Sequence, residues 1–139
     1  MRRFLPLSAA ALLSLISTLA AQANGTGLTA HHGKIYETQN AGLATQGFLE
    51  IDNSETNSDT LTGVNCPIAN ATTLVDKNGA PISQLAVAAG GHLLLSAAGP
   101  HILLQSTHFS IAPGGAVPCT LTFKNAGEFQ VYLYPIPAP

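Results

Sequence analysis

Five histidines carry most of the chemistry this sequence could do: His31 and His32, adjacent near the start, then His92, His101 and His108. Neutral imidazole is a good ligand for Cu(II) and Zn(II). Sulfur is scarce, with two cysteines, Cys66 and Cys119, and a single methionine, Met1. His101 lies in Pro100-His-Ile-Leu-Leu104, an apolar run that reads as a strand, with His101 and Leu103 on one face and Ile102 and Leu104 on the other. His108 follows in a loop that can fold back over the strand it leaves. The expectation is a two-histidine metal site of His101 and His108, completed by the His31-His32 pair on a flexible arm; the alternative is a lone His101 that simply hydrogen-bonds at the end of the sandwich. That pair could equally be no more than solvated. If Ala97-Ala98-Gly99 is the turn of a hairpin, Leu95 opposes His101 and His92 lies roughly 10 Å down the ladder, too far to share an ion. No nucleophile elbow, paired-carboxylate pattern or phosphate-cradling glycine loop is present, which argues against an enzyme.

The elements that must position these residues are short strands. Residues 1–23 read as a secretory leader, with Arg2 and Arg3 at its basic end, an apolar run from Leu5 to Leu19 and a small-x-small cleavage site at Ala21-Gln22-Ala23. The run falls short of the roughly 20 apolar residues that span a bilayer, so no membrane span is expected after cleavage. Of the 139 residues, 116 then remain, a size that suits one domain. Residues 24–33, small and polar without periodicity, read as a flexible N-terminal arm, and 34–139 as one β-sandwich domain. Three scattered lysines against seven acids leave the mature chain at −4 with neutral histidines, which excludes the clustered basic surface that nucleic acid requires.

Turn chemistry divides the domain. Gly47–Asn53 is expected to pair with Thr60–Cys66 across Ser54–Asp59. Ala71–Lys77 leads into Asn78-Gly79, a hairpin signal because both central positions of that turn need positive φ. Further strands are expected at 81–87, 92–96, 100–105, 116–124 and 128–135. Phe129, Val131 and Leu133 alternate with polar-tipped neighbours, as on a sheet with one wet face. Strands of this length and spacing, with no amphipathic helix, imply an all-β antiparallel sandwich or barrel. The proline-rich tail from Pro135 should leave the sheet.

An exported chain with an even cysteine count usually bridges them, and Cys119 shares the apolar face of its strand with Val117, Leu121 and Phe123. A core-spanning Cys66–Cys119 disulfide is expected. A metal-binding thiolate pair is the alternative.

Five stretches occur in a telling order: the hairpin-like GFLEIDNSETNSDTLTGVNCPIA, then AGGHLLL, GPHIL, APGGAVPCTLTF and AGEFQV. In this arrangement the chain from Gly47 to Val131 resembles the periplasmic copper chaperones of the PCu(A)C family. The resemblance implies a cupredoxin-like antiparallel β-sandwich, a periplasmic location, copper as the ligand, and a copper-acceptor protein such as a membrane-bound oxidase as the partner. In that family copper is held by a His on the strand before the Asn-Gly-type hairpin, a Met shortly after it, and both ends of an H-x-M motif. Here H-x-M reads His101-Ile102-Leu103, the first His falls at about Val75, and the mature chain has no methionine. Thioether and imidazole together suit Cu(I), whereas imidazole alone suits Cu(II) or Zn(II). Two functions follow as expectations: a divergent copper chaperone, or a sandwich that has lost its metal and contacts another protein.

Overall fold

The computed structural model describes residues 27–139; the leader expected over 1–23, and its cleavage site, lie outside the described residues. Nine strands follow in order: β1 Leu28–Tyr36, β2 Thr45–Asn53, β3 Asp59–Asn65, β4 Ala69–Val75, β5 Leu85–Val87, β6 His92–Leu95, β7 His101–Thr107, β8 Val117–Phe123 and β9 Gly127–Ile136. The described residues contain no helix long and apolar enough to cross a membrane.

The strands run β4-β7-β2-β1-β9-β8-β3-β5, with β6 also on β2. All pairs are antiparallel except β1 with β9, which meet in parallel only over Lys34–Tyr36 and residues 134–136. Around that short junction the sheet folds over, and its halves close on one core. Ile35, Leu49, Ile51, Ile102 and Leu104 enter it from one half and Leu61, Leu121, Phe123 and Leu133 from the other. Period-two alternation sorts the side chains. On β9, Val131 and Leu133 are buried while Gln130, Tyr132 and Tyr134 are exposed. At about 25 cal/mol per Å² of apolar surface removed from water, each fully buried Leu or Ile contributes roughly 1.5–3 kcal/mol.

Four expectations are corrected. Gly47–Asn53 does not pair with the 60–66 strand: β2 lies between β1 and the β6/β7 line, so both of its edges are taken, and β3 pairs instead with β5 and β8 in the other half. β6 and β7 do not form a hairpin. Both pair antiparallel with β2, β6 along Leu49–Asp52 and β7 along Thr45–Gly47, so they are two segments of one interrupted strand with Ala97–Gly99 as its excursion. The arm expected over 24–33 is, from Leu28 onward, strand β1, pinned by Leu28 and Ala30 packing against the core. The tail departs later than expected, since Pro135 and Ile136 still pair with β1.

Cys66 and Cys119 are joined, 53 residues apart in sequence. Asn65 on β3 pairs with Thr120 on β8, so the next residues stand opposite each other, with Cα atoms 4.2 Å apart. The bridge thus ties neighbouring strands of one half and does not cross the core between the halves, although both cysteines are buried. Closing a loop of this length should stabilise the fold by about 4 kcal/mol on the chain-entropy scale. Urea denaturation of Cys66→Ser/Cys119→Ser should show a loss of that order, and an unchanged midpoint would contradict it.

Candidate metal centre

On β2, Leu49 and Ile51 face the core, so Glu50 and Asp52, two residues apart, project together from the outer face. Strand register decides what meets them. His31 on β1 is paired with Glu50, and His92 on β6 is paired with Asp52. Directly opposed side chains start with Cβ atoms about 4.5–5.5 Å apart, within reach of an imidazole.

His32 should point inward by simple alternation, but β1 has a bulge here. Register passes from His31 opposite Glu50 to Lys34 opposite Phe48, so β1 advances three residues while β2 advances two. His32 takes up the extra residue with φ 54°, a left-handed conformation uncommon for a side-chain-bearing residue. Its ring is thereby turned outward, 68% exposed, onto the Glu50 carboxylate.

Three imidazoles and two carboxylates now share one patch. His31 Nε2 donates to Asp52 Oδ2 at 2.6 Å, and His92 Nδ1 donates to Asp52 Oδ1 at 2.5 Å. His32 Nδ1 donates to Glu50 Oε2, and His92 Nε2 stands 3.3 Å from Glu50 Oε1. His31 Nδ1 lies 3.0 Å from His32 Nδ1, so one nitrogen of that pair must be the acceptor. With Nε2 of His31 donating to Asp52, its Nδ1 holds the free lone pair of a neutral ring.

The titration directions follow. The hydrogen bond from His32 holds Glu50 below its ordinary 4.5, and hydrogen bonds from His92 and then His31 hold Asp52 below 3.8. The hydrogen bond to Asp52, reinforced by both carboxylate charges, raises His92 above 6.5. Cationic His92 therefore stabilises the fold fully below 6.5, and this contribution is lost as pH rises through its raised value. Ionised Glu50 and Asp52 contribute above their ordinary values, and theirs is lost as pH falls through the lowered ones.

The donor set fits a divalent borderline ion. His31, Asp52 and His92 form one group, and His31, His32 and Glu50 another, each with ligand atoms within 4.8 Å of one another. Ligands at about 2.0–2.2 Å on a tetrahedral ion stand roughly 3.4 Å apart, so small side-chain rotations close either group. Nitrogen and carboxylate oxygen suit Cu(II) and Zn(II), and neither group includes a sulfur ligand for Cu(I) among the described residues.

The structure does not bring His101 and His108 together. They stand at opposite ends of β7, seven residues or roughly 23 Å apart along an extended strand. His101 is 4% exposed, donates from Nδ1 to the Gly99 carbonyl at 2.9 Å and packs beside Phe48, whereas His108 is exposed beyond the strand. His31 and His32 do not complete a site with either of them. Val75 stands directly opposite His101 and is 1% exposed, so the strand end where the H-x-M resemblance would set copper ligands is closed and aliphatic. His92, Glu50 and Asp52 are the residues that sequence reasoning missed. The signal available was Glu50-Ile51-Asp52, two acids on one face of a strand, but what lay beside them depended on pairing. Asp59, the buried carboxylate of β3, is occupied otherwise: it accepts the backbone N–H groups of Thr60, Asn125 and Ala126 and so fixes the β8–β9 turn.

The all-β architecture and this connectivity define a cupredoxin-like β-sandwich of the PCuAC type. The copper-bound PCuAC domain from PmoF2 superposes with a TM-score of 0.71 at 19% identity, covering 81% of this chain and 94% of that domain. The apo PCuAC domain from PmoF1 gives 0.73 at 18% identity over 81% and 95%. The Cu(I) form of DR1885 from Deinococcus radiodurans gives 0.63 at 18% identity over 84% of each chain. No match was found among curated proteins. Residues 28–136 match the family described as "Putative lipoprotein LpqE-like", and the chain belongs to this LpqE-like family. The fold that the PCu(A)C resemblance implied is thus the fold observed.

A titration of the metal-free protein followed by NMR should place the His92 midpoint above 6.5, and Asp52→Asn should bring it down. A wild-type midpoint at or below 6.5 would contradict the arrangement described.

Proposed function

We propose that this protein is an exported, non-catalytic metal handler of the copper-chaperone kind, which binds copper on the outer face of β1, β2 and β6 and passes it to a periplasmic or membrane-bound acceptor. The observation that carries this reading is the convergence of His31, His32, His92, Glu50 and Asp52 on one face of a PCuAC-type sandwich. Export is supported by the leader pattern and by the disulfide, which persists in oxidising compartments. A cargo site must release its ion as well as hold it. The ligands here lie at the surface, where an incoming acceptor can replace them one at a time. The donor chemistry makes the cargo Cu(II), with Zn(II) as its competitor. The same fold can handle a different oxidation state here because Val75 and Leu103 have removed the strand-end ligands that suit Cu(I).

Calorimetry of the mature protein should show binding of Cu(II) and Zn(II). His31→Ala and His92→Ala should each weaken it by roughly tenfold or more, and His108→Ala should leave it unchanged. Cu(I), titrated against a competing chelator, should bind poorly. Tight Cu(I) binding that is lost in His101→Ala would overturn the proposed site. Failure to bind any of the three ions would favour a sandwich that serves protein contacts alone.

A further inference from the structure

We propose that the outer-face cluster is built for two divalent ions that share the His31 ring, one on each nitrogen. This rests on the reading that the face takes metal, and goes beyond it in number and arrangement.

The two nitrogens of an imidazole point away from each other across a rigid ring, so one ion can take only one of them. At His31 each nitrogen has its own company. Nε2 lies 2.6 Å from Asp52 Oδ2, and the other oxygen of that carboxylate lies 2.5 Å from His92 Nδ1. On the opposite edge, Nδ1 lies 3.0 Å from His32 Nδ1 and 3.8 Å from Glu50 Oε2, the same oxygen that His32 engages. Each side therefore offers two imidazole nitrogens and one carboxylate oxygen, a donor set that leaves further positions on an ion open for solvent or an acceptor's ligand.

Two ligand groups that share only His31 separate two ions from one, and the bulge is what brings His32 into the second of them. A regular β1 would present His31 to Asp52 and His92 without help from His32, and so would complete the first group alone. The bulge re-phases β1 so that Ala30 before it and Ile35 after it both reach the core, and the extra residue it accommodates, held at φ 54°, adds the His32 ring to the second group. Backbone held in a sparsely populated region marks a functional constraint more often than chance would. Charge is also compatible. Two dications would face two carboxylates and one imidazolate, which offset three of their four charges. Ligation at both nitrogens of His31 requires its one N–H proton to leave to solvent; it changes no other bond in that ring. The ligand class is two Cu(II), two Zn(II), or one of each.

The test uses the whole mature protein, Zn(II) and Cu(II) as the probes, and native mass spectrometry to count bound ions. His32→Asn keeps a residue type that tolerates positive φ, so it preserves the bulge while removing the ring. The wild type should take two ions, His32→Asn one, His92→Ala one, and His31→Ala should lose the stepwise two-ion pattern. With copper, the signal of the one-ion form seen by electron paramagnetic resonance should weaken as the second ion enters, because the shared ring couples the two spins. In His32→Asn a single uncoupled signal should saturate at one equivalent. A wild type that stops at one ion, with affinity unchanged in His32→Asn, would overturn the two-ion inference and leave the proposed function standing. Two ions retained in His32→Asn would overturn it as well. Absence of any bound ion would overturn the proposed function and this inference with it.

Discussion

The structure depends on where β2 sits. Its inner face supplies Leu49 and Ile51 to the core, and its outer face carries Glu50 and Asp52. Because side chains alternate strictly along a strand, burying one set fixes the direction of the other, and a slip of one residue would send both carboxylates into the apolar interior. The flanking strands are held to the same register by their own inward residues, Ala30 and Ile35 on β1 and Leu95 on β6. His31 and His92 thus reach the two acids as a by-product of core packing, and the bulge in β1 adds His32. No dedicated loop is needed to assemble them.

Much of this is legible from residue order. Alternation along Phe129–Leu133, the turn at Asn78-Gly79 and the inward face of Val117–Phe123 point to an all-β sandwich, and the inward placing of Cys119 together with the even cysteine count points to its bond with Cys66. Pairing is not legible. Local patterns name strands, but a strand's neighbours are set by which edges remain free after the core closes, and Ser54–Ser58 looks the same whether it turns a hairpin or crosses between halves. β1 is obscured for a different reason: its inward residues before the bulge are only Leu28 and Ala30, and the bulge at His32 breaks the period of two at the point where a strand would be recognised. His92 escapes notice because a hairpin between β6 and β7 would measure it by its distance from His101. The two segments are collinear, and the strand that matters to His92 is β2.

The contrast with the PCu(A)C ligand pattern is one of chemistry as well as place. At the strand end, His101 survives as a buried ring that satisfies Gly99 and packs on Phe48, with Val75 filling the space across the ladder. Between Phe48 and Val75, His101 belongs to no group of ligating side chains among the described residues. A few residues along the same outer face, the chain supplies nitrogen and oxygen donors to a surface open to solvent. On the proposed reading, the donor atoms, and with them the preferred oxidation state, differ from those of the PCu(A)C pattern.

The central claim, that the β1–β2–β6 face is where the ion goes, is tested most directly by paramagnetic broadening. Substoichiometric Cu(II) added to isotopically labelled mature protein should first erase the backbone NMR signals of residues 30–33, 50–52 and 92–94. Signals of Asp76–Gly79 and of residues beside His108 should persist. Broadening that begins around His101, Val75 and Gly99 and spares Glu50 and Asp52 would contradict the account.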